Sequence, residues 1–356
     1  MRFAARGGRA VRTAGKVGAK GCEIPQGGPP PASNAGAAPA SAAPAWGSWV
    51  PMPVRAQAEG ARKRRARGLP RWGPRQSKVG ILARTTIREA VRRKIVLMAA
   101  LAGAAFLLLY GLAFSMARDK PGNIVNAASR LVERQAAGMF LLLGLYAANL
   151  LVGTIAILAS IDALSGDIAS GAIQTLLSKP VARWQLFAGK WCGFAALLTA
   201  FLLVLEGGVM AVVWSFTRYT APHAFAGLAL LWLEMAVLLT ITLLWGTRFS
   251  TLANGVLSLG LFGLAFLGGW IEQIGALTHH PHAVDMGIAA SLLMPSEALW
   301  HRAAFEMQSP LLNALTIGVN PISGVSIPSP AMVVYAAAYV GIAFAVALRL
   351  FNTRDL

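Results

Sequence analysis

Six apolar runs, each long enough to cross a lipid bilayer, constrain the fold of this chain more than any other feature. A transmembrane helix needs about 20 apolar residues, and a hydrocarbon core requires every backbone polar group to be paired within the protein. The composition agrees, because 56% hydrophobic and 13% charged residues are too apolar for an ordinary soluble domain. We therefore predict an all-α, polytopic membrane protein with six transmembrane helices. The runs are residues 95–116, 136–161, 191–216, 225–245, 252–271 and 331–348.

Arginine and lysine set the predicted direction of these helices. Basic residues flank the first run, fill the connection 162–190, follow the fourth run at Arg248, and close the chain at Arg349 and Arg354. All of these positions fall on one side of the membrane if each run crosses once, and basic connections face the cytoplasm. We predict a multi-pass protein of the cell (inner or plasma) membrane with both termini in the cytoplasm.

The first 78 residues differ in composition from the rest of the chain. They hold 15 of the 32 Lys and Arg residues but only two acids, and they are rich in Ala, Gly and Pro. We expect a disordered extension, and three origins stay open: an organellar transit peptide, translation from an upstream start with Met52 as a true beginning, or a basic arm that touches anionic lipid. The net charge of +18 thus belongs mostly to this tail, so it does not indicate a nucleic-acid partner.

Residues 79–356 form the predicted membrane domain, which begins with an amphipathic segment. Between Lys78 and Lys94, apolar residues share one face and arginines surround the other. This pattern predicts an interfacial helix on the cytoplasmic side, although a simple basic collar of the first span fits equally well. The predicted apolar face consists of Val79, Leu82, Thr86, Ala90 and Val91.

The connection 162–190 is the long polar interruption on the basic side. Leu164, Ile168, Ala172 and Leu176 recur every four residues, which predicts a short amphipathic helix that Pro180 ends. Asp162 and Ser165 are competent N-caps for it. A second helix restarts at Val181, and Arg183, Trp184 and Lys190 suit the membrane interface.

Three short sequence motifs in this connection resemble the first cytoplasmic loop of ABC-2 type permeases, the membrane subunits of ATP-binding cassette exporters. They are Gly-Asp-Ile-Ala-Ser-Gly at 166–171, Leu-Leu-Ser-Lys-Pro-Val-Ala-Arg at 176–183, and Gly-Lys at 189–190. Asp stands where Glu is commoner, and Ala172 and Ala182 replace the usual Thr and Ser. The resemblance implies that the loop rests on an ATPase subunit, and the alternative is a hairpin that merely joins two spans. The implied coupling residues are Asp167, Ile168, Gly171, Leu176, Pro180 and Arg183.

The sequence contains no Gly-x-x-x-x-Gly-Lys-Ser/Thr phosphate loop. We therefore expect that the chain is not an enzyme and needs no cofactor of its own. The resemblance implies a separate ABC ATPase and two permease copies, as a homodimer or a pseudo-dimer.

The outer connection before the last span is long and contains a helix start at Ser296 and Glu297. We expect this helix to lie on the outer leaflet or to dip into it, and the resemblance implies re-entrant helices here. His279, His280 and His282 precede it, but they lack acidic or cysteine partners at ligand spacing. We interpret them as solvated side chains and predict no metal site.

Glu206 and Glu234 are the acids inside the predicted apolar runs. Carboxyl groups at this depth are costly, so they are candidate transport-path residues, and the alternative is a protonated pair that joins helices. The third and fourth spans form a hairpin in which both acids fall at similar depth. Asn149 in the second span is interpreted as a contact between helices.

Two other function classes fit the same pattern. An ion-coupled secondary transporter would use Glu206 and Glu234, although such proteins have inverted repeats or broken helices and the two halves show no obvious repeat. A membrane scaffold or assembly factor would have no ATPase partner. The substrate is not indicated, because Leu, Ala and Phe suit lipids, drugs and peptides alike.

Overall fold

The computed structural model describes residues 78–92, 94–118, 127–171, 182–308 and 326–354, and all regular structure in these ranges is helical. The predicted N-terminal extension lies outside the described residues, apart from Lys78. In chain order the helices are α1 (Lys78–Arg92), α2 (Lys94–Arg118), α3 (Ala127–Ser160), α4 (Ser165–Ala169), α5 (Arg183–Thr217), α6 (Ala224–Gly246), α7 (Thr251–Leu277), α8 (Pro281–Leu293), α9 (Ser296–Met307) and α10 (Pro330–Thr353).

Six of these helices are long and apolar enough to cross a membrane: α2, α3, α5, α6, α7 and α10. They coincide with the six runs of the sequence, so the all-α fold and the number of candidate spans are confirmed. The fifth span is longer than predicted, because α7 continues past residue 271 to Leu277. It therefore includes Glu272, a third buried acid within a span, which accepts a hydrogen bond from the Ser326 hydroxyl at 2.8 Å.

Helix α6 is the centre of the bundle. Leu231, Val237, Leu238 and Leu239 are no more than 1% exposed, and the helix contacts α3, α5, α7, α9 and α10. Helix α2 is peripheral, with contacts to α1, α3 and α5 and large apolar side chains such as Leu97, Leu108 and Leu109 turned outward. Exposed leucines on a long apolar helix are suited to lipid contact.

Helix α1 is amphipathic, as predicted, and packs across the beginning of α5. Leu82 and Thr86 lie over Gly189 and Gly193, where a Cβ atom on either glycine would overlap them. The two glycines therefore permit the close approach of the helices. The predicted apolar face is correct for Leu82, Thr86 and Ala90, whereas Val91 is 55% exposed.

The beginning of α5, the α6–α7 turn and the C-terminal end of α10 meet at one end of the bundle. The Arg183 guanidinium donates to the carbonyls of Asn352 at 3.1 Å and Arg354 at 2.7 Å, and Arg354 donates to the carbonyl of Thr247. The segments predicted to share a side of the membrane are thus joined by hydrogen bonds.

Helices α8 and α9 form a hairpin at the other end. Helix α8 turns back along α7 after His279, with Gly268 against Ala290 and Gly287 against Glu272. Helix α9 then returns along α6, where Met307 packs on Gly227. The predicted start of α9 at Ser296 is confirmed, whereas α8 was not predicted from the sequence.

The tip of this hairpin packs against α10, with Leu292 and Leu293 exposed and Met294 buried. The hydroxyl groups of Tyr335 and Tyr339 on α10 donate to the carbonyls of Leu292 and Leu293, at 2.5 and 3.0 Å. These bonds satisfy carbonyls at the end of α8, which have no partner within the helix. Trp300, one turn into α9, is fully buried.

Candidate functional site

The predicted coupling helix is much shorter in the structure. Helix α4 has five residues, and Gly171 follows it with a φ of +70°, a left-handed conformation that ends helices and favours glycine. The N-cap is Leu164, with no side-chain hydrogen bond, rather than Asp162 or Ser165. The prediction of a continuous helix through residue 171 was therefore wrong. Leu176 and Pro180 lie outside the described residues.

Asp167 and Lys190 hold this loop against the bundle. The Lys190 ammonium forms an ion pair with the Asp167 carboxylate and also donates to the carbonyl of Ala163. Both side chains are largely buried, with 7% of Lys190 and 15% of Asp167 exposed. Asp167 thus binds within its own chain and positions the loop.

The turn before α4 is fixed to the beginning of α7. The Thr251 hydroxyl donates to Asp162 at 3.0 Å and lies 2.9 Å from the Ser165 hydroxyl. The Asn254 amide donates to the carbonyl of Ile161 at 2.9 Å. A displacement of the loop would therefore act directly on α7.

The other predicted coupling residues have different surroundings. Ile168 is half-buried and packs against the core of the bundle, and Arg183 binds the C-terminal backbone. The most exposed described positions of the loop are Ala169 and Ser170. These two exposed residues are available to a partner.

Glu206 and Glu234 lie together in the interior, on α5 and α6. Both are buried, and their carboxyl groups lie within electrostatic reach of each other. Glu234 accepts two hydrogen bonds from the Asn149 amide, each 3.1 Å, whereas neither oxygen of Glu206 has a hydrogen-bond partner among the described residues. A carboxyl group without a partner at this depth is unfavourable.

A second set of buried polar residues lies between Glu234 and the α8–α9 hairpin. The Trp270 indole donates to the Tyr146 hydroxyl at 2.7 Å, and this hydroxyl donates to Glu297 at 3.2 Å. Glu297 lies within electrostatic reach of Glu234, and its carboxylate is 3.6 Å from the His301 imidazole. The structure thus joins residues of α3, α6, α7 and α9.

Burial controls the charge of Glu297 and His301. Desolvation raises the pKa of Glu297 to about 8, against a smaller lowering by the Tyr146 hydrogen bond. Desolvation lowers the pKa of His301 to about 4. Their distance would allow an ion pair, but both shifts favour the uncharged forms at neutral pH, and no hydrogen bond joins the two side chains.

The sequence interpretation did not find Tyr146, Trp270 and Glu297 as site residues. The sequence predicts Glu297 at the start of a helix that lies on the outer leaflet or dips into it, whereas most residues of α9 are buried against the bundle. The available signal was that a buried Tyr or Trp requires a polar partner, so Tyr146 and Trp270 in apolar runs predicted one.

The three histidines of the outer turn have no metal-ligand arrangement. His279, His280 and His282 are exposed, beside the beginning of α8. Among the residues that the structure describes, no group of three or more His, Cys, Asp or Glu side chains could hold a metal ion.

A helical bundle with six candidate spans, a charged loop fixed at one end and buried carboxyl groups inside is typical of a membrane transport protein. The sequence model of the ABC-2 family transporter proteins matches residues 81–356, and the chain belongs to that family. Its membrane domain has no catalytic function itself. A search of the curated proteins finds no match for this chain.

Proposed function

We propose that this chain is the permease subunit of an ABC transporter and moves its substrate across the membrane with energy from a separate ATPase subunit. Membership of the ABC-2 family supports this role, and the sequence has no phosphate loop with which to hydrolyse ATP. In this proposal the chain needs no cofactor, and two copies or a pseudo-dimer assemble with the ATPase. The observation that carries the proposal is the described part of the loop after α3, residues 161–171, which is fixed to the bundle.

This loop has the two properties that a coupling element needs. The Asp167–Lys190 ion pair makes it rigid, and Thr251 and Asn254 join it to the beginning of α7. Movement of an ATPase against Ala169 and Ser170 would therefore displace α7 rather than bend a free connection.

The proposed transport path passes the buried carboxyl groups of Glu206 and Glu234. We further infer that α8 and α9 re-enter the membrane from the outer side, since the tip of their hairpin is hydrogen-bonded to α10, which is a candidate span. Glu206→Gln and Glu234→Gln should reduce transport in proteoliposomes and leave assembly with the ATPase intact. Full transport in the double variant would remove both residues from the path.

The test of coupling uses the full-length chain, purified from its host together with the ABC ATPase whose peptides are found in the complex. Ala169→Arg and Ser170→Arg should abolish co-purification or permease-dependent ATP hydrolysis while the permease stays monodisperse. Thr220→Arg, at an exposed position of the α5–α6 connection at the opposite end, is the matched control. Unchanged assembly and hydrolysis in both loop variants would contradict the proposal.

A further inference from the structure

Three aromatic side chains surround the Tyr146 ring. Its centroid lies 6.3 Å from Phe266, 6.5 Å from Trp270 and 5.0 Å from Trp300. The faces of aromatic rings attract cations, and groups of such rings recognise quaternary ammonium ions. We call Tyr146, Phe266, Trp270 and Trp300 the aromatic group.

Three acidic side chains lie beside the aromatic group or deeper in the bundle, and no described Lys or Arg side chain neutralises them. Glu297 accepts from Tyr146, and Glu234 and then Glu206 lie deeper, each no more than 3% exposed. In the part of the chain that the structure describes, no Lys or Arg forms an ion pair with these three residues, and the histidine beside Glu297 is uncharged at neutral pH.

Several buried polar atoms beside the aromatic group and at the deeper Glu206 have no hydrogen-bond partner among the described residues. They are both oxygens of Glu206, both ring nitrogens of His301 and the indole nitrogen of Trp300, and all three residues are at most 5% exposed. Buried polar groups are normally hydrogen-bonded. The unpaired atoms of Glu206, His301 and Trp300 therefore point to a ligand.

We propose that the aromatic group and Glu297 form a binding site for an organic cation, an ammonium ion with apolar substituents. The proposal rests on the proposed transport function and names its substrate class. The aromatic rings hold the cationic head and its apolar substituents. Glu297, which is uncharged in the empty site at neutral pH, releases its proton to solvent when the cation binds, and its carboxylate then supplies the counter-charge. Tyr146, Phe266 and Trp270 are half-buried while Trp300 is fully buried, so the ligand approaches from the α7 side.

The chemistry of the site favours an organic cation over a metal ion. No group of three His, Cys, Asp or Glu side chains within the described residues could hold a metal. An alkali ion would lose its hydration shell beside rings that offer few oxygen ligands, whereas an alkylammonium ion is weakly hydrated and gains apolar contact.

The test measures saturable binding of tritiated benzyltrimethylammonium to the full-length chain in nanodiscs. Neopentylbenzene, the uncharged analogue of the same shape, and sodium chloride serve as competitors. Glu297→Gln and Trp270→Leu should each weaken binding at least tenfold, and Tyr146→Phe should weaken it less because it keeps the ring. Glu306→Gln on the same helix and Trp232→Leu on α6 are matched controls and should leave binding unchanged.

Three results would overturn the site: no saturable binding, equal binding by Glu297→Gln and the wild type, or competition by neopentylbenzene or sodium as strong as by the unlabelled ammonium ion. Glu297→Gln should still co-purify with the ATPase. Loss of ammonium binding with an intact complex would therefore count against this site alone, whereas a wild-type chain without an ATPase would count against the transporter proposal.

Discussion

Lys190 is a largely buried cation whose charge is balanced by Asp167 alone among the described acids. Removal of one member of a buried ion pair leaves the other charge desolvated. Lys190→Met and Asp167→Asn should each lower the free energy of unfolding by about 3 kcal/mol. The double variant should lose much less than the sum of the two, which thermal unfolding in detergent would measure as a double-mutant cycle.

The Arg302–Glu306 pair on α9 is the control for this cycle. Its side chains are 21% and 23% exposed, so water already screens the two charges. Its coupling energy should be at most about 1 kcal/mol. An equally small coupling between Asp167 and Lys190 would mean that the loop is held by its other hydrogen bonds.

Glu297 should make stability depend on pH in a defined range. The unfolded chain releases this proton near pH 4.5, whereas the native site keeps it until about pH 8. The native state therefore binds more protons in between, so stability falls as the pH rises and levels off above 8. Above about pH 7.5, one unit over its ordinary pKa, the His301 imidazole is uncharged in both states and adds no opposing change.

Replacement of Glu297 by Gln should remove this dependence. Between pH 6.5 and 8 the stability of Glu297→Gln relative to the wild type should rise by up to about 1.4 kcal/mol per pH unit. Melting temperatures across this range measure the difference. Glu306→Gln is the control, and its stability should change with pH as that of the wild type does. A constant difference between Glu297→Gln and the wild type would show that Glu297 ionises at its ordinary pKa.

Helix α7 joins the loop to the buried polar cluster. Its first turn holds the loop through Thr251 and Asn254, and its outer half carries Phe266 and Trp270. A continuous helix transmits displacement along its axis better than a flexible connection does, so both ends should move together. The two-state element that this mechanism requires is α7 with α8 packed along it.

Loss of the contacts at the beginning of α7 should uncouple the loop from the buried polar cluster at the outer half of α7. Thr251→Val combined with Asn254→Ala should keep the ATPase bound but reduce permease-dependent ATP hydrolysis several-fold. Thr278→Val, whose hydroxyl bonds only to carbonyls of α7 at its outer end, is the control. Full hydrolysis in the double variant would show that α7 does not carry the coupling.

The elements differ in how far the sequence predicts them. Long apolar periodicity predicts α2, α3, α5, α6, α7 and α10, because a bilayer leaves such runs only the helix. The loop helix was overestimated, since its apolar spacing continued past Gly171, where the backbone adopts a positive φ. Helix α8 was missed because its 13 residues are too few to cross a membrane, and its partner surface on α7 is a tertiary property.

The same distinction applies to the site. The depth of Glu206 and Glu234 follows from counting residues along two adjacent spans, and the structure does bring them together. The contact of Glu297 with Tyr146 joins residues 151 positions apart and depends on the path of the α8–α9 hairpin. No local sequence pattern predicts the path of this hairpin.

The two ends of the whole molecule differ in charge, and this difference predicts its orientation. Arg84, Arg88, Arg92 and Arg248 are exposed at the end that carries the fixed loop. At the other end the described charged residues are mixed, with Arg218 and Arg302 accompanied by Asp285 and Glu306. From this excess of positive charge we predict that the loop end faces the cytoplasm.

Cysteine accessibility tests this orientation in a background with Cys22→Ser and Cys192→Ser. Ser170→Cys and Asn352→Cys occupy exposed positions at the loop end, and His282→Cys is exposed at the opposite end. A membrane-impermeant maleimide should label position 282 in intact cells and positions 170 and 352 only after permeabilisation. The reverse labelling pattern would mean that the loop end faces the outside, where a cytoplasmic ATPase could not reach it. Labelling of all three positions from one side would instead contradict six crossings, because an odd number of spans separates residue 282 from both of the others.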